Sequence, residues 1–139
     1  MILRSLFVKT LFLLLILVAS VEMSLCRADE ASALPVSIYQ LIANPEKYDG
    51  KTVYVIGFMH MEFEGDVVYA HREDWAHSLI QNGVALDVPK SSFSSWKKIN
   101  NNYVAIQGTF SAVKRGHLAL RVGSLTNITK LVKWKKPNP

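Results

Sequence analysis

The stretch NPEKYDGKTVYVIGFMHMEFEGD, Asn44 to Asp66, decides the fold. It opens on turn-formers at Asn44-Pro45 and Tyr48-Asp49-Gly50, runs through a long alternating segment, and closes on Glu64-Gly65-Asp66. Successive side chains of a strand point to opposite faces. Val53, Val55, Gly57, Met59, Met61 and Phe63 therefore fall on one side, and Tyr54, Ile56, Phe58, His60, Glu62 and Glu64 on the other. The first set is apolar or glycine throughout and marks a core face. The second is apolar at its start and polar toward its end, as expected of a strand covered on both sides for half its length. Gly57 stands at the change, where a mid-strand glycine suits the bend of a strand that serves both halves of a small barrel.

Upstream of this run, Ser37 followed three residues later by Gln40 reads as a capping box, and Ile38, Leu41 and Ile42 share one helical face. A short amphipathic helix is expected there, stopped by Asn44-Pro45. Downstream, DVVYAH (66–71) completes a hairpin. GVALDV (83–88) sends Val84, Leu86 and Val88 inward and leaves Ala85 and Asp87 outside. NYVAIQGTF (102–110) repeats the pattern with Val104, Ile106, Gly108 and Phe110, and HLALRV (117–122) with Leu118, Leu120 and Val122. Between the third and fourth of these strands, PKSSFSSWKKINNN (89–102) carries the stripe Phe93, Trp96 and Ile99 and reads as a helix. HREDWAHSLIQNG (71–83) reads as a loop with one helical turn, Trp75 and Leu79 packing inward. The expectation is an all-β domain: a five-stranded OB-fold-like Greek-key barrel with a short N-terminal helix and a helix between strands 3 and 4.

The chain has 139 residues, half of them hydrophobic, and a formal charge of +5, which suits one domain. Much of the apolar excess sits at the front, where Arg4 and Lys9 precede an unbroken apolar run from Leu11 to Ala19. Glu22 ends this run short of the roughly 20 residues a membrane helix needs, so a cleavable signal peptide is preferred over an uncleaved anchor. Ala28 is the favoured cleavage point. A bulky Leu25 directly before Cys26 is a poor fit to lipoprotein processing. The organisation is then 1–28 signal peptide, 29–35 linker, 36–132 OB-fold-like domain and 133–139 basic C-terminal tail. The mature chain would lack cysteine and keep 13 of 16 basic and 10 of 11 acidic residues, a charge of only +3. Export to the periplasm or the medium follows, with no transmembrane helix in the mature chain.

Chemistry-bearing residues are sparse. His71 and His77 share a loop with Glu73 and Asp74, but their spacing does not match a one-face ligand pair, and hydrogen-bonded surface histidines are the default. The acids Glu62, Glu64, Asp66, Glu73, Asp74 and Asp87 supply carboxylates without a pattern that converges them with Arg72, Arg115 or Arg121. No catalytic residue, metal or cofactor is expected. The better candidate is a ligand-binding face made of Tyr54, Phe58, His60, Tyr69 and Arg121, set against the alternative that these rings simply pack. Asn127-Ile128-Thr129 is formally a glycosylation sequon, of consequence only in a eukaryotic secretory pathway.

The runs LIANPEKYDGKTVYVIGFM, EFEGDVVYAH and YVAIQGTF, with GHLALRVGSLTNITKL at the end, resemble a group of small exported bacterial OB-fold-like proteins, mostly uncharacterised. The resemblance covers Val36 to Leu131. It implies the barrel and export, and it brings no catalytic residues to carry over. The expected function is an exported non-catalytic binding protein for a small ligand, glycan or protein partner. Single-stranded nucleic-acid binding is the alternative, disfavoured by export, and an OB-fold hydrolase or nuclease ranks third.

Overall fold

The structure, a computed structural model, describes residues 32–63 and 65–135. The expected signal peptide with its cleavage site, Cys26, Glu64 and the last four residues of the chain lie outside the described residues. The elements are β1 (Leu34–Pro35), α1 (Ile38–Ala43), α2 (Pro45–Tyr48), β2 (Thr52–His60), β3 (Val67–Tyr69), α3 (Arg72–Ala76), β4 (Gly83–Leu86), α4 (Lys90–Lys97), β5 (Asn102–Ser111) and β6 (Ser124–Lys133).

β2, β3 and β4 form an antiparallel meander, β4 pairs in parallel with β6, β6 runs antiparallel to β5, and β5 returns antiparallel to β2. The last pairing closes the barrel. The parallel β4–β6 contact is permitted because α4 and β5 intervene in the chain, giving the five-stranded OB-fold arrangement read from the sequence. β1 adds a short parallel pairing to β2 at Val53 and Tyr54.

The core follows the period-two pattern. Val53, Val55 and Met59 of β2, Val104, Ile106 and Phe110 of β5, Val84 and Leu86 of β4 and Leu125 of β6 form one buried cluster. Helix α1 contributes Ile38 and Leu41 to the same cluster. It starts at Ser37 by a reciprocal cap: the Gln40 N–H donates to Ser37 Oγ (3.1 Å) and the Ser37 N–H to Gln40 Oε1 (2.8 Å). The core face of β2 ends earlier than the alternation suggests, and Phe63 is fully exposed. The cause is Asn100, whose side chain accepts from the Met61 N–H (2.8 Å) and donates to the Met61 carbonyl (3.0 Å). That clasp consumes the ladder groups of Met61 and turns the chain away.

One expected strand is corrected. HLALRV is no strand but part of the loop between β5 and β6, with a 3-10 turn at His117–Ala119. Leu118 and Ala119 sit at φ of 54° and 55°, in the left-handed region, which no strand can accommodate. The fifth barrel strand is β6, from Ser124 through Lys133. Its alternation is broken at Asn127, at φ 46°, opposite a register shift between Gln107 and Thr109. Beyond that bulge Ile128 and Leu131 pack on the core, and the phase change together with the lysines concealed the strand. Two smaller corrections concern packing: Leu79 is exposed, and of the α4 stripe Trp96 and Ile99 reach the core while Phe93 stays in solvent beside Lys97.

Candidate functional site

Two loops define the principal cleft. The β2–β3 loop brings Glu62, Phe63 and Asp66 to one wall, and the β5–β6 loop brings His117, Leu118, Leu120 and Arg121 to the other. Val67 of β3 with Ala85 and Leu86 of β4 form the floor. The cleft holds about 540 Å³. It lies over the second and third barrel strands, between the first and last of the barrel's loops, where OB-folds carry ligands.

The far wall depends on Gly116. Its φ is +68°, and a Cβ built there would stand 2.7 Å from the Ala85 methyl. Only glycine lets this loop lie directly on β4. This is also why Ala85, outward-facing by alternation, is nevertheless buried. Arg121 then straps the loop down: its guanidinium donates to the Tyr69 hydroxyl (2.9 Å) and to the Ile80 carbonyl, and its Cζ sits 5.1 Å from the Tyr69 ring centroid. Two of the five candidate residues, Tyr69 and Arg121, are thus brought together, as a strut in which Tyr69 is buried.

On the near wall, Asp66 Oδ1 is shielded from solvent and has no hydrogen-bond partner among the described residues. Burial pushes the Asp66 pKa up. The Glu62 backbone N–H opposes that shift, the Glu62 carboxylate adds to it, and His60 offsets it slightly. Phe63, Leu118 and Leu120 stand exposed around the opening, with Leu118 at 74%.

Phe58 and His60 belong to a different place. On the outer side of β2 the Phe58 ring is only 2% exposed, covered by Trp75 of α3 (centroids 5.7 Å apart) and Tyr103 of β5 (5.8 Å). His60 stacks on Trp75 at 4.7 Å, hydrogen-bonds Asn101 Oδ1 through Nδ1 (2.7 Å), and lies 3.6 Å from Glu62, an ion pair only when the ring is protonated. A second cavity of about 300 Å³ opens here, lined by Phe58, Arg72, Trp75, Asn101, Asn102 and Tyr103. Tyr54 joins neither site. It is half-buried, paired with Gln107 on one side and Pro35 on the other.

Sequence reasoning therefore missed Tyr103, Asn101, Asn102 and the exposed role of Leu118 and Leu120. The one available signal was the Asn100-Asn101-Asn102 run directly before a strand, too polar for a barrel end that merely packs. The loop acids are accounted for locally: Asp74 accepts from the His71 N–H and the Asn82 amide, both at 2.8 Å, and fixes α3 to the 3-10 turn before β4. Among the described residues no three of His, Cys, Asp and Glu gather as a metal site, and no helix is long and apolar enough to cross a membrane.

No protein-family model matches the chain, and no curated protein matches it. Among solved structures, one described as an aspartyl-tRNA synthetase from Leishmania major Friedlin is similar, with 11% identity and a TM-score of 0.41. The match covers 79% of this chain and 23% of that one, so this chain spans under a quarter of its length. At that level the likeness bears on neither ligand nor chemistry here.

Proposed function

We propose that this protein is exported and binds, without chemistry, a small ligand or the end of a glycan or peptide in the cleft between the β2–β3 and β5–β6 loops. The observation that carries the reading is the cleft itself: about 540 Å³, within the roughly 300–1,000 Å³ common to small-molecule sites, with apolar side chains interleaved with Glu62, Asp66, His117 and Arg121. Export rests on the N-terminal sequence, where a charged start precedes an apolar run and small residues.

Charge argues against single-stranded nucleic acid as the occupant. The lining holds two carboxylates, Glu62 and Asp66, which repel phosphates, and its arginine is already engaged by Tyr69 and Ile80. Phosphate contacts need free cations.

The test is amide-resolved NMR of the protein against a small-molecule and oligosaccharide panel, with a mixed-sequence oligonucleotide at low salt as the rival. Ligands should move the signals of Phe63, Asp66 and residues 116–121, and Leu118→Asp should weaken binding about tenfold or more with an unchanged melting temperature, since the side chain is solvent-exposed. Saturable oligonucleotide binding on this cleft, or hits that map uniformly elsewhere, would end the proposal.

A further inference from the structure

The second cavity lies outside the cleft and has its own chemistry, independent of the reading above. Its floor is the buried Phe58 ring and its walls are Trp75 and Tyr103. Their planes tilt 34° and 69° from that of Phe58, so the two walls cannot come closer than 35° to parallel. A flat base can stack on one such wall but not between both. A chair-shaped ring, thick and with C–H faces on two sides, fits a splayed pair.

The polar rim is equally selective. Asn101 Oδ1 is taken up by His60, which turns its amide N–H groups into the available donors. Asn102 Nδ2 donates to the carbonyls of Ile99 (3.3 Å) and Asn100 (2.9 Å), which leaves its Oδ1 as an acceptor. Arg72 adds a guanidinium, and no carboxylate lines the cavity. The set is one amide donor, one amide acceptor and one cation around aromatic walls, in about 300 Å³. Hydroxyl groups both donate and accept, and such a rim satisfies them while rejecting an ammonium ion, for which aromatic walls alone would otherwise be suitable.

The walls are also held in advance. His60 backs Trp75, the Arg72 N–H donates to the Tyr103 hydroxyl (3.3 Å), and buried Asp74 anchors the helix that carries both Arg72 and Trp75. Preorganised groups lose little freedom on binding.

The geometry points to this cavity as a binding site for a single pyranose unit, with Arg72 favouring sugars that carry a carboxylate. The experiment follows the indole N–H of Trp75 and the side-chain amides of Asn101 and Asn102 by NMR in the intact protein. The probes are methyl glucuronide, methyl glucoside, adenosine monophosphate and benzyltrimethylammonium at millimolar concentration. Both sugars should shift these signals, the glucuronide more strongly. Tyr103→Ala should weaken both sugars about tenfold, the loss of one good contact, and Arg72→Gln should weaken the glucuronide while sparing the glucoside. Val113→Ser, at an exposed side chain that lines neither cavity, should bind both sugars as wild type does, and the melting temperature of Tyr103→Ala checks that its loss of binding is not a loss of fold. The inference is overturned if neither sugar moves the three residues, or if the nucleotide or the ammonium compound moves them as strongly. Signals of Leu118 and Leu120 report the cleft separately, so failure here and failure there are distinguishable.

Discussion

Replacing Gly57 by alanine tests the most specific packing statement the barrel makes. A Cβ at this position would stand 2.5 Å from the Tyr69 carbonyl oxygen and 2.6 Å from Val68 Cγ2, with Ile38 Cγ1 at 3.5 Å. The first of these contacts is backbone and belongs to the neighbouring strand, so relief requires β2 and β3 to separate where Phe58 pairs with Tyr69. Overpacking of a filled core costs about 1–3 kcal/mol, and two simultaneous contacts place this substitution at about 3. Reduced freedom of the unfolded chain returns about 0.4–1 kcal/mol. The net expectation is a loss of about 2 kcal/mol, or about 8–16 °C in melting temperature for a domain of this size. Gly50→Ala is the comparison: nothing lies within 4 Å, and the cost comes from its φ of +72° alone, about 1–2 kcal/mol. Urea and thermal unfolding of both variants decide the matter. If Gly57→Ala unfolds within about 0.5 kcal/mol of wild type, inside the range of neutral surface changes, β2 and β3 are not in the contact described and their pairing at this point is wrong.

Two further outcomes follow from the core and the cleft. Leu41→Ala should cost about 2–5 kcal/mol by denaturant unfolding, because Leu41 is fully buried among the barrel residues; a loss under about 1 kcal/mol would place α1 outside the core. Asp66 gives a pH dependence whose sign can be worked out. Burial raises its folded pKa above the ordinary 3.8, so the folded chain binds that proton at higher pH than the unfolded chain, and the stability it confers is complete below 3.8 and lost as pH rises through the raised value. Relative to Asp66→Asn, wild type should gain stability as pH falls from neutral through that window. Parallel stability profiles, or a gain in the opposite direction, would remove the buried carboxyl from the account.

The barrel was legible because its central strands obey a simple rule without interruption. Val53, Val55, Val104, Ile106 and Phe110 alternate strictly, and each is buried. Ser37 and Gln40 announced the helix that docks on them, and the reciprocal cap is present. What could not be read was decided by non-local events. The end of β2 is set by Asn100, which is 39 residues from the Met61 it binds and acts through its side chain. The true last strand changes face at Asn127, and a single period cannot represent a strand that does so. The candidate residues divided for a related reason. Phe58 and His60 share an outer face with each other but acquire Trp75 and Tyr103 only through α3 and β5, whereas Tyr69 and Arg121 meet only because the β5–β6 loop folds back over β4.

The misread segment also carries the strongest physical argument for the cleft. HLALRV looks like a strand because it alternates apolar and polar residues, and in a barrel such residues gain stability by burial. Here Leu118 is left in solvent and Leu120 half-exposed beside a fully exposed Phe63, forgoing at most about 1.5–3 kcal/mol at Leu118 and about half of that at Leu120. The backbone under Leu118 and Ala119 is held in the left-handed region at further cost. Scattered exposed leucines need no explanation, but three large apolar groups around one opening form a patch. The loop cannot recover that free energy by sinking into the barrel, since Gly116 already lies on Ala85 and Arg121 is fixed to Tyr69 and Ile80. A ligand seated between the two loops would bury these side chains without moving the strut. Binding should then leave the Arg121–Tyr69 contact intact and be felt chiefly at Phe63, Leu118 and Leu120.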